Sequence, residues 1–94
     1  MSARFLTIIG RPNAFDHDRL GIIASRRVGG AVARNRAKRR VRELFRKEPP
    51  ARARADGGQP LDLVVVARPA LVDASFAAVE EDFRVALRKL RGVR

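Results

Sequence analysis

The segment from Ala31 to Lys47 limits what this chain can become more than any other. It is built mostly from strong helix formers, namely alanine, arginine, lysine, leucine and a single glutamate, with no glycine or proline. Ala33, Ala37, Val41 and Leu44 recur at helical spacing with Phe45 beside Leu44, one narrow apolar stripe that can lay a helix on a core. Nearly every other position is cationic: Arg34, Arg36, Lys38, Arg39, Arg40, Arg42, Arg46 and Lys47, against Glu43 alone. Such a helix repels itself. Arg34, Lys38, Arg42 and Arg46 follow one another at i, i+4 spacing, and each like-charged pair costs roughly a few tenths of a kcal/mol. A helix that only had to stay in water would interleave the two signs. The one-sided charge points instead to a polyanion on that face. Asn35 fits, because its amide can both donate to and accept from a phosphate or ribose.

The chain has 94 residues, enough for one small domain spanning residues 1–94 with a modest core. A hydrophobic fraction of 46% is far too high for a disordered basic tail. Twelve basic residues and two acids fall between Arg26 and Arg54, so that segment carries nearly all of the net charge of +11. One strongly positive face on an otherwise balanced domain is the footprint of a nucleic-acid binder. The chain has no cysteine, which excludes disulfides, zinc ribbons and thiol chemistry and suits a reducing cytoplasm. No apolar run reaches the length of a membrane span, and the N-terminal residues do not read as a signal peptide. The narrow stripe, without tryptophan, also argues against a helix lying on an anionic membrane.

Along the chain, Phe5 to Ile9 is rich in β-branched and aromatic residues and reads as a strand ending at Gly10, with a turn at Arg11-Pro12-Asn13. Leu20 to Ser25 reads as a second strand, and the short link predicts antiparallel pairing with the first. Val28-Gly29-Gly30 breaks the strand before the basic helix, which Pro49-Pro50 stops; Ala51 to Pro60 is a loop. Leu61 to Ala67 is apolar enough to be the central strand. Asp73 or Ser75 caps a last helix running to about Leu90, with Phe76, Val79, Phe83, Ala86, Leu87 and Leu90 as its core stripe and Glu80 paired with Arg84. The order strand, strand, basic helix, strand, helix implies an α+β fold, helices layered on a small sheet.

Catalytic chemistry is hard to find. His17 is the only histidine, and Asp16-His17-Asp18 on a loop reads as a solvated turn before it reads as a metal or acid–base site. Glu80, Glu81 and Asp82 are consecutive on a helix and so point in different directions. Gly29-Gly30 lacks the spacing of a phosphate-binding loop.

Gly21-Ile-Ile-Ala-Ser-Arg-Arg-Val-Gly29, followed by Ala31 to Arg46, resembles the bacterial ribonuclease P protein subunit. That family's signature, Arg-Asn-Arg-x-Lys-Arg-x-x-Arg, is matched by Arg34, Asn35, Arg36, Lys38, Arg39 and Arg42, and Leu61 to Pro69 resembles its strand after the basic helix. The resemblance implies a two-layer α/β sandwich like the second domain of ribosomal protein S5, with the basic helix in a left-handed β-α-β crossover. It implies an enzyme subunit without an active site of its own. The partner would be the catalytic RNA of ribonuclease P, which removes the 5′ leader of precursor tRNA using Mg²⁺ held mainly by the RNA. The protein, monomeric by itself, would bind that RNA and the leader. The signature residues would contact the RNA, with Arg26 and Arg27 as a basic pair before them and Arg68 as a further contact.

Members usually open on a basic helix with spaced phenylalanines that walls the leader cleft; this chain enters its first strand directly. No tyrosine is present, and Ile8 falls where the first strand often carries one for the leader. Phe5 and Phe15 are the substitutes available for stacking, with core packing the better reading of Phe5. The alternative is a structural RNA-binding protein of ribosomal or assembly type, which needs cations but not this spacing. A helix-turn-helix DNA binder is a weaker third, since no partner helix precedes the basic one.

Overall fold

The computed structural model describes residues 4–48 and 60–91. The expected helix stop at Pro49-Pro50 and nearly all of the following loop lie outside them. Three strands, β1 (Leu6–Pro12), β2 (Arg19–Ile23) and β3 (Leu61–Ala67), form one sheet, with helices α1 (Ala31–Lys47) and α2 (Phe76–Leu90) packed on it. The strand order is β1-β3-β2. β3 therefore sits in the centre, as its continuous apolar run requires.

The expected β1–β2 hairpin does not form. β1 pairs antiparallel with β3, from Leu6 opposite Ala67 to Pro12 opposite Leu61, while β2 runs parallel to β3, from Arg19 opposite Asp62 to Ile23 opposite Val66. A short link suggests a hairpin only where no better partner exists. β3 supplies a more apolar edge to each of the other two strands, and the segment carrying α1 is long enough for a parallel crossover. β1 also outlasts Gly10 and takes in Arg11 and Pro12. Pro12 is tolerated because it closes a strand at the sheet edge.

Leu6 and Ile8 of β1, and Leu61, Leu63, Val65 and Ala67 of β3, are buried on one face, where α2 lies over β1 and α1 over β2 and β3. Ser75 caps α2 by accepting from the Ala78 amide at 3.1 Å, and Val79, Phe83, Ala86 and Leu87 are the buried positions of its stripe. α1 buries only Ala37, Val41 and Leu44. Burying Val41 and Leu44 contributes roughly 1.5–3 kcal/mol each, against roughly 1 kcal/mol of repulsion among the stacked cations. Packing wins, but not by much.

Between β2 and α1 the chain makes a 3-10 turn, Arg26–Val28, and then passes through Gly29 at φ +141°, where a Cβ would sit 2.8 Å from the Ala33 Cβ. Only glycine accepts both the angle and the closeness.

A buried ionic group fastens the far end. Arg91, at the α2 C-terminus, lies 3.3 Å from Glu48 at the end of α1 and 3.6 Å from Asp18 in the β1–β2 loop, and the Arg91 and Asp18 side chains are only 10% and 9% exposed. Asp18 also accepts from the Leu61 amide at 2.7 Å. One guanidinium thus ties two helix ends to the start of β3.

Candidate nucleic-acid interface

The cations of α1 divide into two sets. Arg40 turns back to donate to the Leu71 and Ala74 carbonyls at 3.2 and 2.6 Å, closing α1 against the loop before α2. Arg46 forks onto Glu43, Nη2 to Oε1 at 2.6 Å and Nε to Oε2 at 3.2 Å, and these bonds hold the Glu43 carboxyl below its usual range. Lys47 lies 3.6 Å from Glu80 and 5.1 Å from the Phe76 ring centre. These three serve the fold.

Arg34, Arg36, Lys38, Arg39 and Arg42 make no side-chain hydrogen bond or ion pair with a described residue, and the Nε of half-buried Arg34 has no partner at all. They are the cationic members of the signature, joined on the same helix by exposed Asn35. Arg26 and Arg27, in the 3-10 turn, are exposed and equally unengaged among the described residues. Because β2 and β3 are parallel, the turn after β2 and exposed Arg68 after β3 emerge at the same end of the sheet, beside the start of α1. That start has Gly30 as its cap, with no side-chain cap and no acid in the first turn. Its open N–H groups add positive potential to the surrounding arginines. All nine expected site residues therefore lie on α1 or at that end of the sheet.

Among the described residues, no helix covers the other face of the sheet. Three rows cross it in register: Thr7, Val66 and Ile23; Ile9, Val64 and Gly21; Arg11, Asp62 and Arg19. Ile9 and Ile23 are 58% and 52% exposed. The sequence does not mark which residues face outward here, because Ile8 and Ile9 are adjacent and equally apolar and so break any alternation in β1. Ile8, the expected leader position, is fully buried beneath the helices, and its outward neighbour Ile9 takes the exposed place. Phe5 is core, as its composition suggested; Phe15 is 51% exposed.

Asp62 closes one end of this face. Arg19 grips it with Nε to Oδ1 and Nη2 to Oδ2, both 2.7 Å, and Asn13 donates to Oδ1 at 3.0 Å. The bonds from Arg19, helped by that from Asn13, hold the Asp62 pKa down at about 2. A carboxyl depressed in the folded state stabilises the fold fully above its unfolded pKa of about 4 and loses that contribution as pH falls toward 2. Asp62→Asn is therefore expected to lower the melting temperature at pH 7, with the gap to the native protein narrowing between pH 4 and pH 2. A gap independent of pH would refute this role.

The remaining acids are dispersed. Asp16 sits 2.8 Å from His17 Nδ1, Asp18 turns inward to Arg91, and Asp82 accepts from the Phe5 amide at 2.8 Å. Among the described residues no group of three histidine, cysteine or carboxylate side chains could hold a metal ion. No helix of the described residues is long and apolar enough to cross a membrane.

The ribonuclease P family model matches residues 1–91. The chain is 35% identical over 89 residues to the ribonuclease P protein component of Syntrophomonas wolfei, covering 95% of this chain and 71% of that protein. It is 46% identical over 72 residues to the same component from Chloroflexus aurantiacus, covering 76% of this chain but only 50% of that one. The structure of the RNase P protein from Thermotoga maritima superposes with a TM-score of 0.73 at 31% identity, covering the whole of this chain and 82% of that one. The Staphylococcus aureus protein gives 0.76 at 28% identity, with 94% and 76% covered. Signature, sheet order and these likenesses agree, and the chain belongs to the ribonuclease P protein family.

Proposed function

We propose that this protein acts as the RNA-binding subunit of ribonuclease P in the cytoplasm, binding the catalytic RNA with the open cations of α1, the Arg26–Arg27 pair and Arg68. The observation that carries the reading is the division of the α1 cations. The cations of the signature have no partner among the described residues, while their equally basic neighbours Arg40, Arg46 and Lys47 are engaged with carbonyls or carboxylates of the chain itself. A protein needing only bulk positive charge has no reason to make that distinction.

The uncovered sheet face, apolar in its centre and flanked by Arg68 and Arg19, supports binding of the single-stranded 5′ leader of precursor tRNA there. Hydrolysis of the leader bond would then belong to the RNA, with Mg²⁺ held mainly by RNA phosphates. The donor set of this chain suits that arrangement, since Glu43 and Asp62, the carboxylates nearest the two surfaces, are each committed to an arginine. What the protein contributes is position: cations that fix the RNA and a surface that aligns the substrate strand.

The test is reconstitution. The protein is mixed with a bacterial ribonuclease P RNA at low Mg²⁺, and cleavage of a precursor tRNA with a long 5′ leader is followed. Stimulated cleavage at the mature 5′ end is the expected result. Tight RNA binding without stimulation would confine the role to the basic helix. Failure to bind the RNA specifically would favour a structural RNA-binding protein of ribosomal or assembly type.

A further inference from the structure

The loop joining β1 to β2 is an exposed connection, yet it is closely ordered. Asn13 Oδ1 accepts from the Phe15 amide at 2.8 Å, while its Nδ2 donates to the His17 carbonyl at 3.2 Å and to Asp62 at 3.0 Å. Arg19, locked onto Asp62, places its guanidinium 4.4 Å from the centre of the Phe15 ring. His17 flanks the same ring at 5.8 Å, tilted by 45°. An aromatic ring of a small domain normally gains its stability by burial. Here the loop holds Phe15 in place with half its surface in water.

Shielding the Arg19–Asp62 pair does not account for this, because the guanidinium covers only one side of the ring and an aliphatic side chain would shield as well. An aromatic ring backed by an arginine suits a flat, polarisable partner that stacks on it. The chemistry matches an unpaired nucleobase, and the location agrees. Arg19 and Asp62 form the last row of the uncovered face, and Arg68 stands at its opposite end, six residues along β3 or roughly 20 Å away. A short single strand held at Arg68 and running over Ile9 and Val64 would arrive at Phe15.

The geometry points to Phe15, positioned by Arg19 and Asn13, as a stacking site for one unpaired base of the substrate RNA strand. This inference rests on the leader-binding reading above and extends it to an element that the family signature does not include.

The experiment uses the full chain assembled with ribonuclease P RNA, and precursor tRNAs whose leaders carry a single 2-aminopurine at successive positions. Stacking quenches that base. The expected result is quenching at one distal position, lost in Phe15→Leu and kept in Phe15→Trp. Phe15→Leu should also weaken binding of the long-leader substrate roughly five- to tenfold while leaving short-leader substrate and catalytic RNA affinities unchanged. Circular dichroism of both variants checks the fold, which an exposed loop residue should not disturb. If the native protein prefers long leaders and Phe15→Leu preserves both the preference and the quench, the stacking site is wrong while leader binding stands. If the native protein shows no leader preference, both readings fall together.

Discussion

Replacing Arg91 with methionine is expected to remove about 3 kcal/mol of stability, the lower end of the range for stripping one partner from a buried ion pair. The low end applies because Asp18, once abandoned, still accepts from the Leu61 amide. For a domain of this size, with total stability of about 5–14 kcal/mol, that is a large share. In urea the midpoint should fall by roughly 1.5–2 M with little change in slope. The double variant Asp18→Asn, Arg91→Met should recover part of the loss, since the group facing the vacated guanidinium site is then neutral. Equal destabilisation in the single and double variants would show that the Asp18–Arg91 contact carries no coupling.

Removing three open cations together, Arg34→Ala, Arg39→Ala and Arg42→Ala, is expected to reduce affinity for the catalytic RNA by two to three orders of magnitude at about 0.1 M salt. The reason is counterion release: each lost phosphate contact takes about 0.9 from the slope of log affinity against log salt, so the slope should shrink by nearly three. Arg40→Ala is the informative control. It removes the same unit of charge, but from a side chain committed to the Leu71 and Ala74 carbonyls. It should therefore lower thermal stability and leave the salt slope almost unchanged. If Arg40→Ala reduced the slope as much as each signature arginine does, binding would depend on bulk charge and the division of α1 would have no functional meaning.

The two helices and β3 were readable from periodicity because each has one simple burial pattern: a narrow stripe in α1, a broad one in α2 and a continuous run in β3. Strand pairing was not. Arg19 to Ile23 and Leu6 to Pro12 carry no sign of their partners, and proximity in sequence suggested the wrong one. Similarly, composition identified α1 as a polyanion surface but could not separate Arg40 from Arg39. That separation depends on which carbonyls lie within reach of a guanidinium once α2 has docked. The signature made the separation through family resemblance, and the hydrogen bonds supply its physical cause. Phe15 was legible as a residue available for stacking, but its backing by Arg19 and Asp62 was not, because those two meet only across a parallel register between positions 43 residues apart.

A strand order of β1-β3-β2 also dictates when the molecule can exist. Neither of the first two strands has a hydrogen-bonding neighbour until Ala67 has been made, and at roughly 5–20 residues per second several seconds separate β2 from the end of β3. During that interval the arginine-rich segment leaves the ribosome ahead of the sheet that will organise it, a polycation surrounded by ribosomal RNA. Late completion of the sheet thus leaves the cations of the newborn chain without the partners that later divide them, until β3 has taken its place between its neighbours.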